Sequence, residues 1–266
     1  MKKFLLLASI CLASNTRIEA QAAPQPARKL ATIQPEARDL LARLDARYKR
    51  FKTFSCLVEL RTSEPVPWKY ARYRIALDGR FSGAITMAIE GQGTQKSIYD
   101  GKTVLKTDSR FPRRYTLAKI DAELYGIRLF LRRTGAEGQV GRLLLDDKIA
   151  SAFLDPDLQS VEMGAPEKLN DKTLQSVIIK MEGEYGKASL SLLIDEENLT
   201  LRRVVGNDSN PAQDKKTFVF TEDYSDIRFD EALPNSLFST KPPVGFREID
   251  SFDSSSQVTT TPVIPN

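Results

Sequence analysis

The residues able to do chemistry are few, and their types narrow the field at once. The 266 residues include no histidine. That excludes the Ser-His-Asp and Cys-His nucleophile systems, Cys₂His₂ zinc and the His-Glu-x-x-His peptidases. Of the two cysteines, Cys11 sits in an N-terminal apolar run, and Cys56 alternates with Phe54 and Val58 on the apolar side of a strand. There a thiol acts as a small hydrophobe. Asp146-Asp147 and Glu196-Glu197 are the right types for acid–base or metal work. Adjacent residues on a strand point to opposite faces, however, the glutamates fall in a turn, and neither pair has calcium-loop spacing. Gly91-Gln92-Gly93 and Asp100-Gly101 each join strand to strand, whereas a phosphate loop leads into a helix N-terminus. No nucleophile elbow or Ser-x-x-Lys context is present. No catalytic residue, no metal site and no cofactor is expected, and the chain reads as a binding protein.

Two basic stretches are candidates for anionic headgroups: Arg110 to Arg114 with Phe111 and Tyr115, and Arg132-Arg133. A solvated face is the simpler explanation of both. Lys2 and Lys3, the uncharged run Phe4 to Ala13, and Ala20-Gln21-Ala22 form a secretory signal with its cut between Ala22 and Ala23. Ten uncharged residues cannot cross a ~30 Å hydrocarbon core. Removing Lys2, Lys3, Arg17 and Glu19 leaves 36 basic and 34 acidic residues. Such a balance, without a basic stripe, argues against nucleic acid. Cys11 leaves with the signal, so no internal disulfide can form.

The elements that must position any site follow from periodicity. Residues 23–33 form an Ala/Pro/Gln-rich leader, 34–250 one domain, and 251–266 a disordered Ser/Thr-rich tail. The domain opens with a helix from Pro35, whose Ala37, Leu40, Leu41, Leu44, Tyr48 and Phe51 share a face. Strands follow, with Phe54, Cys56, Val58 and Leu60, then Tyr73, Ile75 and Leu77, then Ile85, Met87 and Ile89 on apolar phases. Asp78-Gly79 and Asp100-Gly101 read as hairpin turns, the latter between Ile98-Tyr99 and Val104-Leu105, before a strand from Arg114 to Ile120. Asp121 caps a helix carrying Leu124, Ile127, Phe130 and Leu131. A break at Gly135, Gly138 and Gly141 leads to a second helix with Leu144, Leu145, Ile149, Ala152 and Phe153. Strands return from Leu158: Thr173–Glu182, Lys187–Asp195, Leu199–Val205 and Thr217–Arg228. Asp195 to Asn198 is one turn between them and Gly206 to Pro211 the next.

This is an α+β pattern, one antiparallel sheet of nine to eleven short strands with helices gathered on one face and laid across its mouth. Many short strands twist cumulatively, so the sheet curls. Phe54, Val58, Leu60, Tyr73, Ile75, Ile85, Met87 and Ile89 are the expected lining, with Leu124, Ile127 and Leu131 as a lid. Patterning alone leaves open whether they enclose a solid core or an apolar cavity.

Three stretches then carry a likeness. The first helix ends in Tyr48-Lys49-Arg50-Phe51-Lys52-Thr53-Phe54, the centre holds Tyr99-Asp100-Gly101-Lys102-Thr103, and the close reads Leu233-Pro234-Asn235-Ser236-Leu237-Phe238 and Lys241-Pro242-Pro243-Val244-Gly245-Phe246. In order, over roughly residues 35 to 250, they resemble the periplasmic outer-membrane lipoprotein carriers (LolA-like) and their lipoprotein-sorting relatives. The resemblance implies an unclosed barrel of about eleven strands with a helical lid, holding acyl chains of a lipoprotein or phospholipid. It implies a monomer in the periplasm, with membrane-bound donor and acceptor proteins. In the carriers a strand arginine helps hold the lid shut. Arg61, Arg72 and Arg74 are strand arginines here, but no local motif aligns any of them to that position. The Ser/Thr tail departs from the carriers. An envelope sensor or regulatory interaction module on the same fold is the alternative.

Overall fold

The first helix buries its apolar stripe along its whole length. In the computed structural model α1 spans Pro35–Lys49, and Ala37, Leu40, Leu41, Leu44 and Tyr48 are each at most 2% exposed. Proline in the first turn costs no hydrogen bond. Arg47 and Lys49 in the last turn face the negative end of the helix dipole. The structure describes residues 31–63, 69–79, 81–120, 126–134, 138–145, 157–183, 186–209 and 217–252. The expected signal, most of the leader, residues 253–266 of the tail, Asp121, Leu124, Asp146, Asp147, Ile149, Ala152 and Phe153 lie outside them.

Among the described residues, fourteen strands form one sheet. In chain order they are β1 Thr32–Ile33, β2 Thr53–Thr62, β3 Tyr70–Asp78, β4 Ser82–Ile89, β5 Gly93–Tyr99, β6 Thr103–Asp108 and β7 Arg114–Lys119. After two helices, α2 Gly126–Thr134 and α3 Gly138–Leu145, come β8 Leu158–Met163, β9 Glu167–Leu169, β10 Lys172–Gly183, β11 Gly186–Asp195, β12 Thr200–Ser209, β13 Thr217–Phe229 and β14 Arg247–Glu248. The spatial order is β1-β8-β10-β11-β12-β13-β2-β3-β4-β5-β6-β7-β14, with β9 pairing β10 off this path. The first and last strands do not meet, so the sheet is an incomplete barrel. The pivotal contact is β13 with β2, which joins two consecutive antiparallel runs. Three strands (β1, β9, β14) are two or three residues long, leaving eleven longer ones.

The structure corrects the sequence reading in four places. The sheet is mixed, because β1 pairs β8 and β14 pairs β7 in parallel. Gly206, Asn207, Asp208 and Ser209 extend β12 instead of forming a turn, paired with Phe220 to Thr217. The reason is steric: the Phe220 ring lies where a Cβ on Gly206 would be, so glycine lets the hairpin continue. Gly141 is inside α3, not in the break before it. Val140 and Leu144, one turn apart and at most 1% exposed, anchor the helix strongly enough to carry that glycine. Phe252, assigned to the tail, contacts Phe111 at 5.4 Å between ring centroids.

Among the described residues, α1, α2 and α3 all contribute to a single apolar cluster on one face of the sheet. On the opposite face, Ala76, Ala84, Ile98 and Leu105 form a smaller cluster with Phe238 of the 3₁₀ turn Asn235–Phe238.

Candidate functional site: the helix-covered face

Antiparallel pairing sets side chains of partnered residues on the same face, so the helix-covered face can be read as rows across the strands. One row runs Phe54, Leu77, Gly83, Tyr99, Val104, Ala118. The next runs Cys56, Ile75, Ile85, Ser97, Lys106, Thr116. A third runs Tyr224, Val58, Tyr73, Met87, Gln95, Asp108. Apart from the tyrosines, which keep a polar tip, the rows are apolar on β2 to β4. Two of the three then turn polar on β5 to β7.

Every described residue of the expected lining falls in the apolar part. Phe54, Val58, Tyr73, Ile75, Ile85 and Met87 are buried there, with Leu60 and Ile89 partly buried against the same cluster. Ile127 and Leu131 cover it from α2. Gly83 makes room for that helix: a Cβ there would stand 2.8 Å from Ile127 Cδ1. Phe130 of α2 stacks on Tyr99, centroids 5.6 Å apart. A Cβ on Gly126, the first residue of α2, would overlap the Tyr99 hydroxyl.

Beneath α3 the apolar field contains a polar island. Glu222, 6% exposed, lies between Val204 and Leu60 in its row, and the Tyr224 hydroxyl donates to its Oε2. Gly138 opens α3 with φ of +36°, and its Cβ position is 3.0 Å from the Tyr73 hydroxyl and 3.3 Å from both Glu222 carboxylate oxygens. Burial pushes the Tyr73 and Tyr224 phenols well above their ordinary 10.0, and the Glu222 charge pushes them further. Burial likewise drives the Cys56 thiol far above 9.0, so it is an inert core residue. Sequence reasoning missed this island, although the signal was present: Phe220, Glu222 and Tyr224 alternate, placing a carboxylate in the apolar phase.

The polar end of the same face holds a cavity of about 310 Å³, lined by Gln95, Ser97, Lys106, Thr107, Asp108, Thr116, Thr134, Asp250, Ser251 and Phe252. Desolvation works to raise the Asp108 carboxyl, but hydrogen bonds from Arg110 and Gln95 outweigh it and hold the group below its usual range. Arg110 reaches Asp108 with Nη2 at 2.5 Å and Nε at 3.0 Å.

The stretch from Arg110 to Tyr115 is engaged within the fold, whereas the side chains of Arg132 and Arg133 lie outside the described residues. Arg110 is committed to Asp108, Phe111 to Phe252, and the Tyr115 hydroxyl to Glu248 at 3.2 Å. Arg114 pairs with Arg247 between β7 and β14. These residues therefore serve the fold around the cavity. Arg61, Arg72 and Arg74 face away from the helices and meet Asp223, Glu59 and Asp226. Glu196 lies in the Asp195–Asn198 turn, its side chain paired with Arg43 at 2.5 Å.

Fold and face together define an open mixed sheet whose helix-covered side passes from apolar to polar. No family model matches the chain, and no curated protein matches it. Among solved structures it is similar to LprF from Mycobacterium bovis, at 12% identity and TM-score 0.49, over 77% of this chain and 99% of that one. It is also similar to the MucA/MucB complex of Pseudomonas aeruginosa, at 10% identity and TM-score 0.43, over 77% of this chain and 60% of that one. A LolA superfamily protein from Nitrosomonas europaea matches at 15% identity and TM-score 0.32, over 76% of this chain and 97% of that one. None of these three reaches a TM-score of 0.5.

Proposed function

We propose that the protein is an exported lipid carrier of the periplasm, which holds acyl chains of a lipoprotein or phospholipid against the apolar rows of β2 to β4. One observation carries the reading. Among the described residues, the part of the apolar face that α1 leaves open is covered by two short helices inserted between β7 and β8, not by sheet closure. Lifting α2 and α3 therefore uncovers it without breaking a hydrogen bond of the sheet ladders. Helices of nine and eight residues have little stability of their own and depend on what lies beneath them. An acyl chain taking their place gains about 0.8 kcal/mol per buried CH₂. The cavity on β5 to β7 gives the polar end of such an amphiphile a place beside the chains.

The carrier needs no catalytic group, only reversible burial. The N-terminal signal is cut after Ala22 during export. The test is native mass spectrometry of the exported protein purified gently from its host, followed by solvent extraction and titration with a fluorescent acyl probe. A bound lipid of defined stoichiometry, displaced by the probe, with faster amide exchange in α2 and α3 than in β2 to β4, is expected. A clean apo mass, no probe uptake and equal protection of helices and strands would leave a filled core, and the interaction-module reading would replace this one.

A further inference from the structure

Phe81 is 80% exposed at the turn between β3 and β4. Its own amide donates to the Asp78 carbonyl at 3.3 Å, and lysines stand to either side at this end of the sheet. The Gly79 amide donates to the Lys52 carbonyl at 2.6 Å, tying the turn to the entry of β2. On its other side, the Phe81 carbonyl is 3.1 Å from the Cβ position of Gly101, in the β5–β6 turn beside Lys102. The Ile120 amide donates to the Lys102 carbonyl at 2.9 Å, bringing in Lys119 at the end of β7. Lys52, Phe81, Lys102 and Lys119, all exposed, thus follow one another along a single rim.

The acids of this rim are mostly committed. Asp230 accepts from the Lys52 amide at 2.6 Å and pairs with Arg47 at 3.6 Å. Asp100 accepts from the Lys102 and Thr103 amides and the Thr240 hydroxyl. Glu231 pairs with Arg228 at 3.2 Å. Among the described acids of this rim Asp78 remains, against three ammonium groups. Among the described residues, no carboxylate lies within ion-pair distance of the Lys52, Lys102 or Lys119 ammonium.

We propose that this rim docks the protein on an anionic bilayer, with Phe81 entering the headgroup boundary and Lys52, Lys102 and Lys119 meeting lipid phosphates. An exposed aromatic ring gains by leaving water at the interface, and each lysine adds attraction to a negative leaflet. The lysines flank the ring at the same ends of neighbouring strands, Lys52 to one side and Lys102 and Lys119 to the other. The site lies at the strand ends, apart from the helix-covered face, and its use does not depend on what that face binds.

The experiment is co-sedimentation of the exported chain with vesicles of phosphatidylcholine alone or with 30% phosphatidylglycerol, at low and high salt. Phe81→Ser and the triple variant Lys52→Glu, Lys102→Glu, Lys119→Glu are compared with Lys168→Glu on β9 as a control. All are surface changes, checked by an unchanged melting temperature. Binding to the anionic vesicles alone, weakened by salt, is expected. It should fall about tenfold in Phe81→Ser and on the order of a hundredfold in the triple variant, with the control and acyl-probe uptake unaffected. No binding by the parent chain, equal binding to neutral vesicles, or undiminished binding by both rim variants would each overturn the proposal.

Discussion

The Leu201 amide donates a 3.1 Å hydrogen bond to the hydroxyl of Tyr48, fastening α1 to β12 inside the core. It does so where the β11–β12 register shifts beside Ile194, the partner of Leu201. A bulge disturbs the ladder, and here a side chain from the helix meets the amide. Removing the hydroxyl in Tyr48→Phe leaves that buried amide without this acceptor, at a cost of about 1–3 kcal/mol. A lower urea midpoint with an unchanged slope is expected, and an unchanged midpoint would refute the role given to the bond.

Buried Tyr48, Tyr73, Tyr224 and Cys56 set the alkaline limit. All four have pKa values pushed up chiefly by burial, from ordinary values of 10.0 for the phenols and 9.0 for the thiol. Their folded forms stay protonated while the unfolded chain ionises. The stability they confer is thus whole below about pH 9 and drains away as pH rises past 10. Phenolate absorbance of these tyrosines should appear together with loss of near-ultraviolet circular dichroism. Phenolates forming in the intact fold would contradict their placement.

Gly126→Ala forces a choice between α2 and Tyr99. The added methyl overlaps the Tyr99 hydroxyl, which is itself bonded to the Gly101 carbonyl at 2.9 Å. The helix start should yield, because it costs no sheet hydrogen bond. Amide exchange in α2 should accelerate at least tenfold with protection in β2 to β4 retained, and acyl-probe uptake should quicken. Equal acceleration across the strands would mean that α2 is no separable cover.

Gly206→Val tests the extended hairpin. Its side chain would collide with the Phe220 ring and open the far end of β12 and β13. Overpacking of this kind costs about 1–3 kcal/mol. Combining it with Phe220→Ala should recover part of the loss in a thermal melt, and strict additivity would argue against the contact.

Local patterns made the framework legible. Pro35 and its apolar stripe, the Asp78-Gly79 and Asp100-Gly101 turns, and the alternation of Phe54, Cys56 and Val58 each state their structure within a few residues. What stayed hidden depends on distant partners. Gly206 reads as a turn until Phe220, fourteen positions on, is laid over it. Gly141 reads as a break until Val140 and Leu144 are seen buried around it. The short strands β1, β9 and β14 have no pattern of their own and exist only through pairing. The apolar residues of β2 to β4 were legible as a face, but the division of that face into apolar and polar ends emerges only when strand register aligns Ile85 with Ser97 and Met87 with Gln95.

An unclosed sheet carries a hazard at its margins, since a bare row of amides and carbonyls is a template on which another extended chain can grow. Here the margins are occupied from within. Thr32–Ile33 lies along β8, with Gln34 adding its amide to the Val161 carbonyl and its side-chain oxygen to the Met163 amide. Arg247–Glu248 lies along β7 and presents two exposed charged side chains. Two-residue strands are too short to recruit a stranger. The sheet can therefore stay open while some four residues of its own backbone, two at each margin, occupy part of the edge on which a fibre would grow.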